Sequence, residues 1–161
     1  MPLGEVDAAR GTLHVANAVW RRTWLAPYGE HESAGFGTGK GDVVGPRIRG
    51  TMHWANHPKR REDRVWCPDL NGTSATADGA KILVSIKGYS IIEETPTVNR
   101  AIVAAVWFQT DDPRYRWLNY YLGIAEGEID ETTEEWWIRI SAVRNDVAKA
   151  PPKIQAPRWP V

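Results

Sequence analysis

Two short stretches concentrate the side chains able to do chemistry. In Asp111-Asp112-Pro113-Arg114-Tyr115-Arg116-Trp117-Leu118-Asn119, Tyr115 and Asn119 can donate to a substrate oxygen while Asp112 or Arg114 orients them. On an extended run from Val43, Arg47, Arg49, Thr51 and His53 share one face, and Ile48, Gly50, Met52 and Trp54 share the other. If the polar row faces an interior, its two guanidinium groups need an anionic or enolic ligand, or buried carboxylates. His53 would then be the general base, because an imidazole titrates where neutral-pH proton transfer needs it. Arg49, Tyr115 and Asn119 would stabilise the developing oxyanion, with Asp112 beside them. Each stretch also has a plainer reading. The arginines can point to solvent over a core of Ile48, Met52 and Trp54, and Asp112 can cap a helix, Arg114 pair with a carboxylate, and Tyr115 and Trp117 pack.

Other chemistries lack their residue patterns. His53 and His57 have the H-x-x-x-H spacing of a helical metal pair, but Pro58 and the extended pattern around them remove that meaning. No metal and no cofactor are expected. Cys67 precedes Pro68 with no obvious base and reads as a packed thiol. No G-x-S-x-G elbow is present. The glycines at 35, 37, 39 and 41 miss both nucleotide-loop spacings and read as a structural strand that bends or admits close backbone approach. The Lys59-Arg60-Arg61 run, cut by Glu62-Asp63, reads as a solvated loop.

These residues need a scaffold, and 161 residues with 42% hydrophobic content suffice for one domain with a real core. Lys+Arg and Asp+Glu balance at 20 each, so no net field favours nucleic acid or an anionic membrane. A single cysteine and no signal-like N-terminus lead us to expect a cytoplasmic protein. No apolar run approaches the roughly 20 residues of a membrane span. Period-2 alternation marks strands at Thr12–Trp20, Val43–Ala55 and Lys81–Gly88, with a fully apolar run at Ala101–Phe108 that can be buried on both faces. Asn71-Gly72 and Asp78-Gly79 both read as hairpin turns. Asp112-Pro113 reads as a helix start, with one or two turns to about Leu118. Residues 89–98 and Glu126–Glu135 read as loops, residues 1–10 as a loose arm, and residues 148–161 as a Pro-rich extended tail. Roughly nine short strands without a long helical period indicate an all-β fold, a single antiparallel barrel of about eight to ten strands. Trp136 and Trp137 must point to opposite sides of their strand, so a barrel places one inside. The outward one implies a covering loop or a subunit interface, hence an expected homodimer. Nine tryptophans either fill a wide core or line a ligand site.

Gly45-Pro46-Arg47-Ile48-Arg49-Gly50, Asp78-Gly79-Ala80 and Asp111 through Asn119, in that order, resemble the domain-of-unknown-function 3237 family over roughly residues 12–143. That family's pattern has a G-P-x-L-R-G segment, a D-G-A turn and a G-D-P-R-Y-x-W-L-N segment. It carries over to Arg49, Asp112, Arg114, Tyr115, Trp117 and Asn119, and departs at Asp111 and Ile48. The segment from Trp54 to Asn71 looks like the fungal-type branch. The resemblance implies a single antiparallel barrel able to enclose a small ligand, and no assigned chemistry. Taken together, the expectation is a small-molecule-binding barrel, with a cofactor-free isomerase, cyclase or lyase acting by proton transfer on a small apolar or aromatic metabolite. His53, Tyr115, Arg49 and Asp112 would be catalytic, and Arg47, Trp54, Trp66, Trp107, Arg114, Trp117 and Asn119 would bind substrate. A non-catalytic carrier barrel with the same aromatic lining is the alternative, and a filled structural core the third.

Overall fold

The computed structural model describes residues 13–27, 29, 32–92, 99–130, 133 and 135–143. The expected arm at 1–10 and the Pro-rich tail at 148–161 lie outside them. Ten strands follow in chain order: β1 (Leu13–Leu25), β2 (Ser33–Val44), β3 (Arg49–Asn56), β4 (Lys59–Arg60), β5 (Trp66–Cys67), β6 (Asp69–Thr76), β7 (Lys81–Ile92), β8 (Asn99–Gln109), β9 (Gly123–Asp130) and β10 (Glu135–Ala142). A 3-10 helix, Arg116–Tyr120, sits between β8 and β9. Every pairing is antiparallel, and the sheet closes around β1-β2-β3-β6-β7-β8-β9-β10 and back to β1. The expected barrel is therefore present, with eight long strands and the two-residue β4 and β5 added to it.

The short pair extends the barrel rather than decorating it. β4 continues the line of β3 beyond Pro58, and β5 precedes β6 across Pro68. β4 pairs with the start of β2, and Trp66 of β5 pairs with Ser90 of β7. Proline has no donor for a sheet ladder, so each break falls at a proline. Bonds from Gly35 N to Pro58 O (2.8 Å) and from His57 N to Asp69 O (3.0 Å) carry the pairing past the breaks. The expected loop at Asn56–Asp63 is thus partly strand, and this ribbon forms the wall of one barrel end.

Inward positions follow strand alternation: Met52 and Trp54 on β3, Ile82, Val84 and Ile86 on β7, Ile102, Ala104, Val106 and Phe108 on β8, and Trp136, Ile138 and Ile140 on β10 are all buried. Trp136 is 7% exposed and its neighbour Trp137 46%, as the two-sided pattern requires. Ala101–Phe108 is buried on one face only, because Val103 and Trp107 are exposed. On β1 the alternation breaks. The register with β2 shifts between Ala16 and Val19, so Val15 and Ala18 are both buried while Val19 is exposed. A bulge of this kind inverts the phase of everything after it, and it turns Trp20, Arg22 and Trp24 toward the lumen.

Several turns differ from expectation. Asp78-Gly79 does close the β6–β7 hairpin, with Gly79 at φ +89°. Asn71-Gly72 is not a turn but the interior of β6, paired with Ala55 and Trp54 on one side and Ser85 and Val84 on the other. Pro46 lies between β2 and β3 rather than within one long strand. Tyr89–Ile92 belongs to β7, and most of Glu126–Glu135 belongs to β9 and β10. Among the described residues no helix is long and apolar enough to cross a membrane.

Candidate functional site

The β4/β5 end of the lumen opens into a cavity of about 80 Å³, several times what a single water requires. Five tryptophans line it: Trp20 and Trp24 from β1, Trp54 from β3, Trp66 from β5 and Trp136 from β10. Their rings meet in pairs, Trp24 with Trp66 at 4.3 Å between centroids and Trp54 edge-on to Trp136 at 4.8 Å, a geometry that ring quadrupoles favour. The glycine strand makes the space. A methyl group on Gly35 would lie 2.2 Å from Trp24 Cζ3, and one on Gly39 would lie 2.4 Å from Trp54 Cζ2. The alternating glycines of β2 therefore serve as flat beds for the rings opposite, as the structural reading of that run anticipated.

The polar groups in this aromatic box are few. Arg22, Asn56, Ser90 and Arg100 line the cavity, and among the described lining residues none is a carboxylate or a histidine. Arg100 is only 3% exposed. Its guanidinium lies over the Trp66 ring at 4.7 Å, and that of Arg22 over Trp20 at 4.6 Å. Cations over indole faces are attracted by the ring quadrupole, more strongly where water is excluded. Burial, and then repulsion from Arg22, bring the Arg100 pKa down to about 10. Asn56 is used by the fold, its Oδ1 accepting from Asp69 N at 3.0 Å. Ser90 is 3% exposed, and its Oγ and the buried Trp66 Nε1 have no hydrogen-bond partner among the described residues. Such buried donors cost free energy unless something binds them.

The Asp112–Asn119 segment lies at the opposite end of the barrel. Arg100, the second residue of β8, and Gln109, its last, are nine residues apart, roughly 30 Å of strand. There the side chains bond to one another and to the β6–β7 turn. Asp112 accepts from Arg114 N (2.9 Å), Nε (3.0 Å) and Nη2 (2.7 Å). Asp78 Oδ2 accepts from Arg114 Nη1 and from the Tyr115 hydroxyl, both at 2.9 Å, and Thr76 Oγ1 donates to Asp78 Oδ1 at 2.5 Å. Asn119 clamps Thr110 in both directions, accepting from its N–H and donating to its carbonyl, each at 2.9 Å. The Arg114 hydrogen bonds hold the Asp112 carboxyl down at about 2. Asp78 is lowered chiefly by the Thr76 hydroxyl, and Tyr115 is raised by burial and by Asp78. Asp112 does not cap a helix; it anchors the turn ahead of the 3-10 helix, whose N-cap position is Tyr115.

The sequence-derived assignments thus divide. Trp54 and Trp66 line the cavity. Arg49 and His53 do not: both are exposed on the outer face of β3, opposite in phase to the inward Met52 and Trp54. Solvating two charges outside is far cheaper than burying them, so the plainer reading of that row holds and His53 is not placed to act as a base in the lumen. Trp107 is also outward, 46% exposed. Arg47 stacks on Trp117 at 3.9 Å, and both border a second, smaller cavity at the far end. Asp112, Arg114, Tyr115 and Asn119 form the network just described, away from the tryptophan pocket. Sequence reasoning missed Arg22, Ser90 and Arg100. A signal existed in β8, where Arg100 shares the even-numbered phase of Ile102, Ala104, Val106 and Phe108. For Arg22 the phase was hidden by the bulge.

Fold and pocket together define a closed antiparallel barrel with a tryptophan-lined cavity, bordered by Arg22 and Arg100, in the lumen at its β4/β5 end. No protein-family model matches the chain, and no curated protein does. Solved structures do match in fold. A β-barrel-like protein of Acinetobacter baumannii superposes with a TM-score of 0.69 at 17% identity, covering 83% of this chain and 92% of its own. A protein of unknown function from Clostridium acetobutylicum gives 0.71 at 11%, covering 84% and 97%. An enzyme from Penicillium herquei gives 0.62 at 21%, covering 88% of this chain and all of its own.

Proposed function

We propose that the chain binds a small, planar, largely apolar or aromatic molecule in the tryptophan-lined lumen, and that it acts on it as a cofactor-independent enzyme of isomerase, cyclase or lyase type. The observation that carries the binding reading is the convergence of Trp20, Trp24, Trp54, Trp66 and Trp136 on one cavity. Apolar pockets with a few polar groups are the usual form of small-molecule sites. The enzyme reading draws on the buried cation Arg100, held over the Trp66 ring in the cavity wall. A fixed cation beside a developing oxyanion or enolate lowers the barrier to proton transfer, because its field needs no reorganisation. That the Penicillium herquei relative in fold is an enzyme adds support. The carrier reading has its own observation, that none of the described lining residues carries a carboxylate or an imidazole. Titrating intrinsic tryptophan fluorescence with a panel of one- and two-ring aromatic metabolites tests binding. Saturable quenching that Trp54→Ala abolishes is expected, and no quenching by any member rejects the pocket. Product formation by the wild type that Arg100→Gln removes, with binding retained, favours the enzyme over the carrier.

A further inference from the structure

The apolar run Ala101–Phe108 supplies more hydrophobic surface than the barrel uses. In a closed sheet only alternate residues of β8 face the lumen, here Ile102, Ala104, Val106 and Phe108. The other set, Ala101, Val103, Ala105 and Trp107, faces out and is apolar as well. Outward positions elsewhere differ, with Lys40 and Asp42 on β2 and Arg49 and His53 on β3. An apolar set on both sides of a strand is the pattern of burial on both sides. Leu83, Tyr89 and Ile91 on β7 widen this face, and with Val103 and Trp107 they are each 46–58% exposed. Trp137, exposed to the same degree, continues it beyond Glu128 of β9. Half-exposed side chains of this size present on the order of 100 Å² each, or roughly 500 Å² for the five on β7 and β8. The largest apolar patch on a typical monomer is about 300–600 Å². Adding Trp137 and the small and polar side chains around it approaches the roughly 800 Å² per partner of a standard interface.

We infer that this face is the contact between two copies of the chain, packed with β8 against β8 about a two-fold axis. The inference is independent of what the lumen binds. Charge favours a second copy over an acidic or basic partner. Around the face Lys87 pairs with Asp69 at 3.2 Å, Arg139 with Glu126 at 2.6 Å, and Arg61, beside Tyr89, with Asp63. Glu128 adds one further carboxylate, so the described residues give the face no strong field of a single sign. Shape favours a copy too, because a two-fold contact must be self-complementary. An axis lying in the interface and crossing β8 at Ala104 sets Trp107 of each copy over Ala101 of the other, and Val103 over Ala105. Large then meets small along the strand. Lys87 stands beside Ala105, and Glu126 beside Val103. The same rotation lays Lys87 over Tyr89 and Glu126 over Ile124, so neither meets its like.

Sedimentation velocity on the whole chain, over a concentration series into the tens of micromolar, tests this. A dimer is expected, with a thermal midpoint that rises with protein concentration. Val103→Lys sets two like charges near the axis and should give a monomer with an unchanged circular dichroism spectrum. Trp107→Ala should weaken the dimer at least tenfold, and Ala101→Trp, which puts bulk against Trp107, should abolish it. Val19→Lys, on the exposed outer face of β1, should leave it intact. A monomer at every concentration overturns the proposal, as does an open series of larger assemblies. A dimer that survives both Val103→Lys and Ala101→Trp overturns it as well, because its interface then lies elsewhere on the barrel.

Discussion

At the scale of single residues, the two neighbours His53 and Trp54 separate what a strand position can do. His53 has the side chain best suited to acid–base work, yet it stands on the outer face. Trp54 is 7% exposed against Trp136 and over Gly39. His53→Ala should leave ligand affinity and thermal midpoint unchanged, whereas Trp54→Ala should lose binding and roughly 3–5 kcal/mol of stability. Chemical denaturation and fluorescence titration of both variants check this, and loss of binding in His53→Ala would contradict the pocket's placement. Asp78 and Asp112 make a different kind of contribution. Both carboxyls have pKa values below their ordinary range, Asp112 at about 2, because the folded chain supplies donors to the charged form. A carboxyl depressed by folding stabilises above its unfolded pKa of about 4, and that contribution is lost as pH falls through the folded value. Asp112→Asn and Asp78→Asn should therefore lower the thermal midpoint at pH 6 and approach the wild type near pH 2. A gap that persists undiminished at pH 2 would assign the effect to packing instead.

At the scale of elements, β2 and the tryptophans opposite it are one device. The inward glycines give up side-chain contacts so that Trp24 and Trp54 can lie flat against the backbone, and the space left between rings is the pocket. Gly35→Ala forces a methyl into Trp24, since 2.2 Å is far inside van der Waals contact. The expected result is a displaced ring, a stability loss of about 1–3 kcal/mol and at least tenfold weaker ligand binding, read by urea unfolding and calorimetry. Unchanged affinity would mean that Trp24 does not shape the site. Strand parity also explains what could be read from the chain beforehand. The barrel, the Asp78-Gly79 turn, the structural glycines and the Trp136/Trp137 split all follow from alternation and turn chemistry, which are local. Arg22 was not legible because the irregularity between Ala16 and Val19 inverts the phase of β1, and a bulge depends on the partner strand. Asn71-Gly72 misled for a related reason: a dipeptide suited to a tight turn is equally accommodated in β6 when neighbours on both sides complete its ladder. The Asp112–Asn119 network was found as a cluster. What it bonds to, Asp78 and Thr76 on another hairpin, comes only from tertiary placement.

At the scale of the molecule, the barrel separates its two concentrations of polar side chains. One end is closed by the network of Thr76, Asp78, Asp112, Arg114, Tyr115 and Asn119, and the other holds the pocket with Ser90 and Arg100, roughly 30 Å away along β8. Perturbations far apart with no shared partner add, usually to within about 0.5 kcal/mol. This gives a test of whether the Asp112–Asn119 segment takes part in binding at all. Asn119→Ala removes both bonds to Thr110 and should cost roughly 0.5–1.5 kcal/mol per bond lost, the net worth of an ordinary hydrogen bond. Its cost should sum with that of Gly35→Ala in the double variant, and Asn119→Ala alone should leave ligand affinity within twofold of the wild type. The double-mutant cycle is read by urea unfolding and the affinity by titration. Strong coupling between the two sites, or loss of binding in Asn119→Ala, would mean that the ends communicate through the sheet. In that case Tyr115 and Asn119 would return as part of the functional site rather than as the closure of the barrel opposite it.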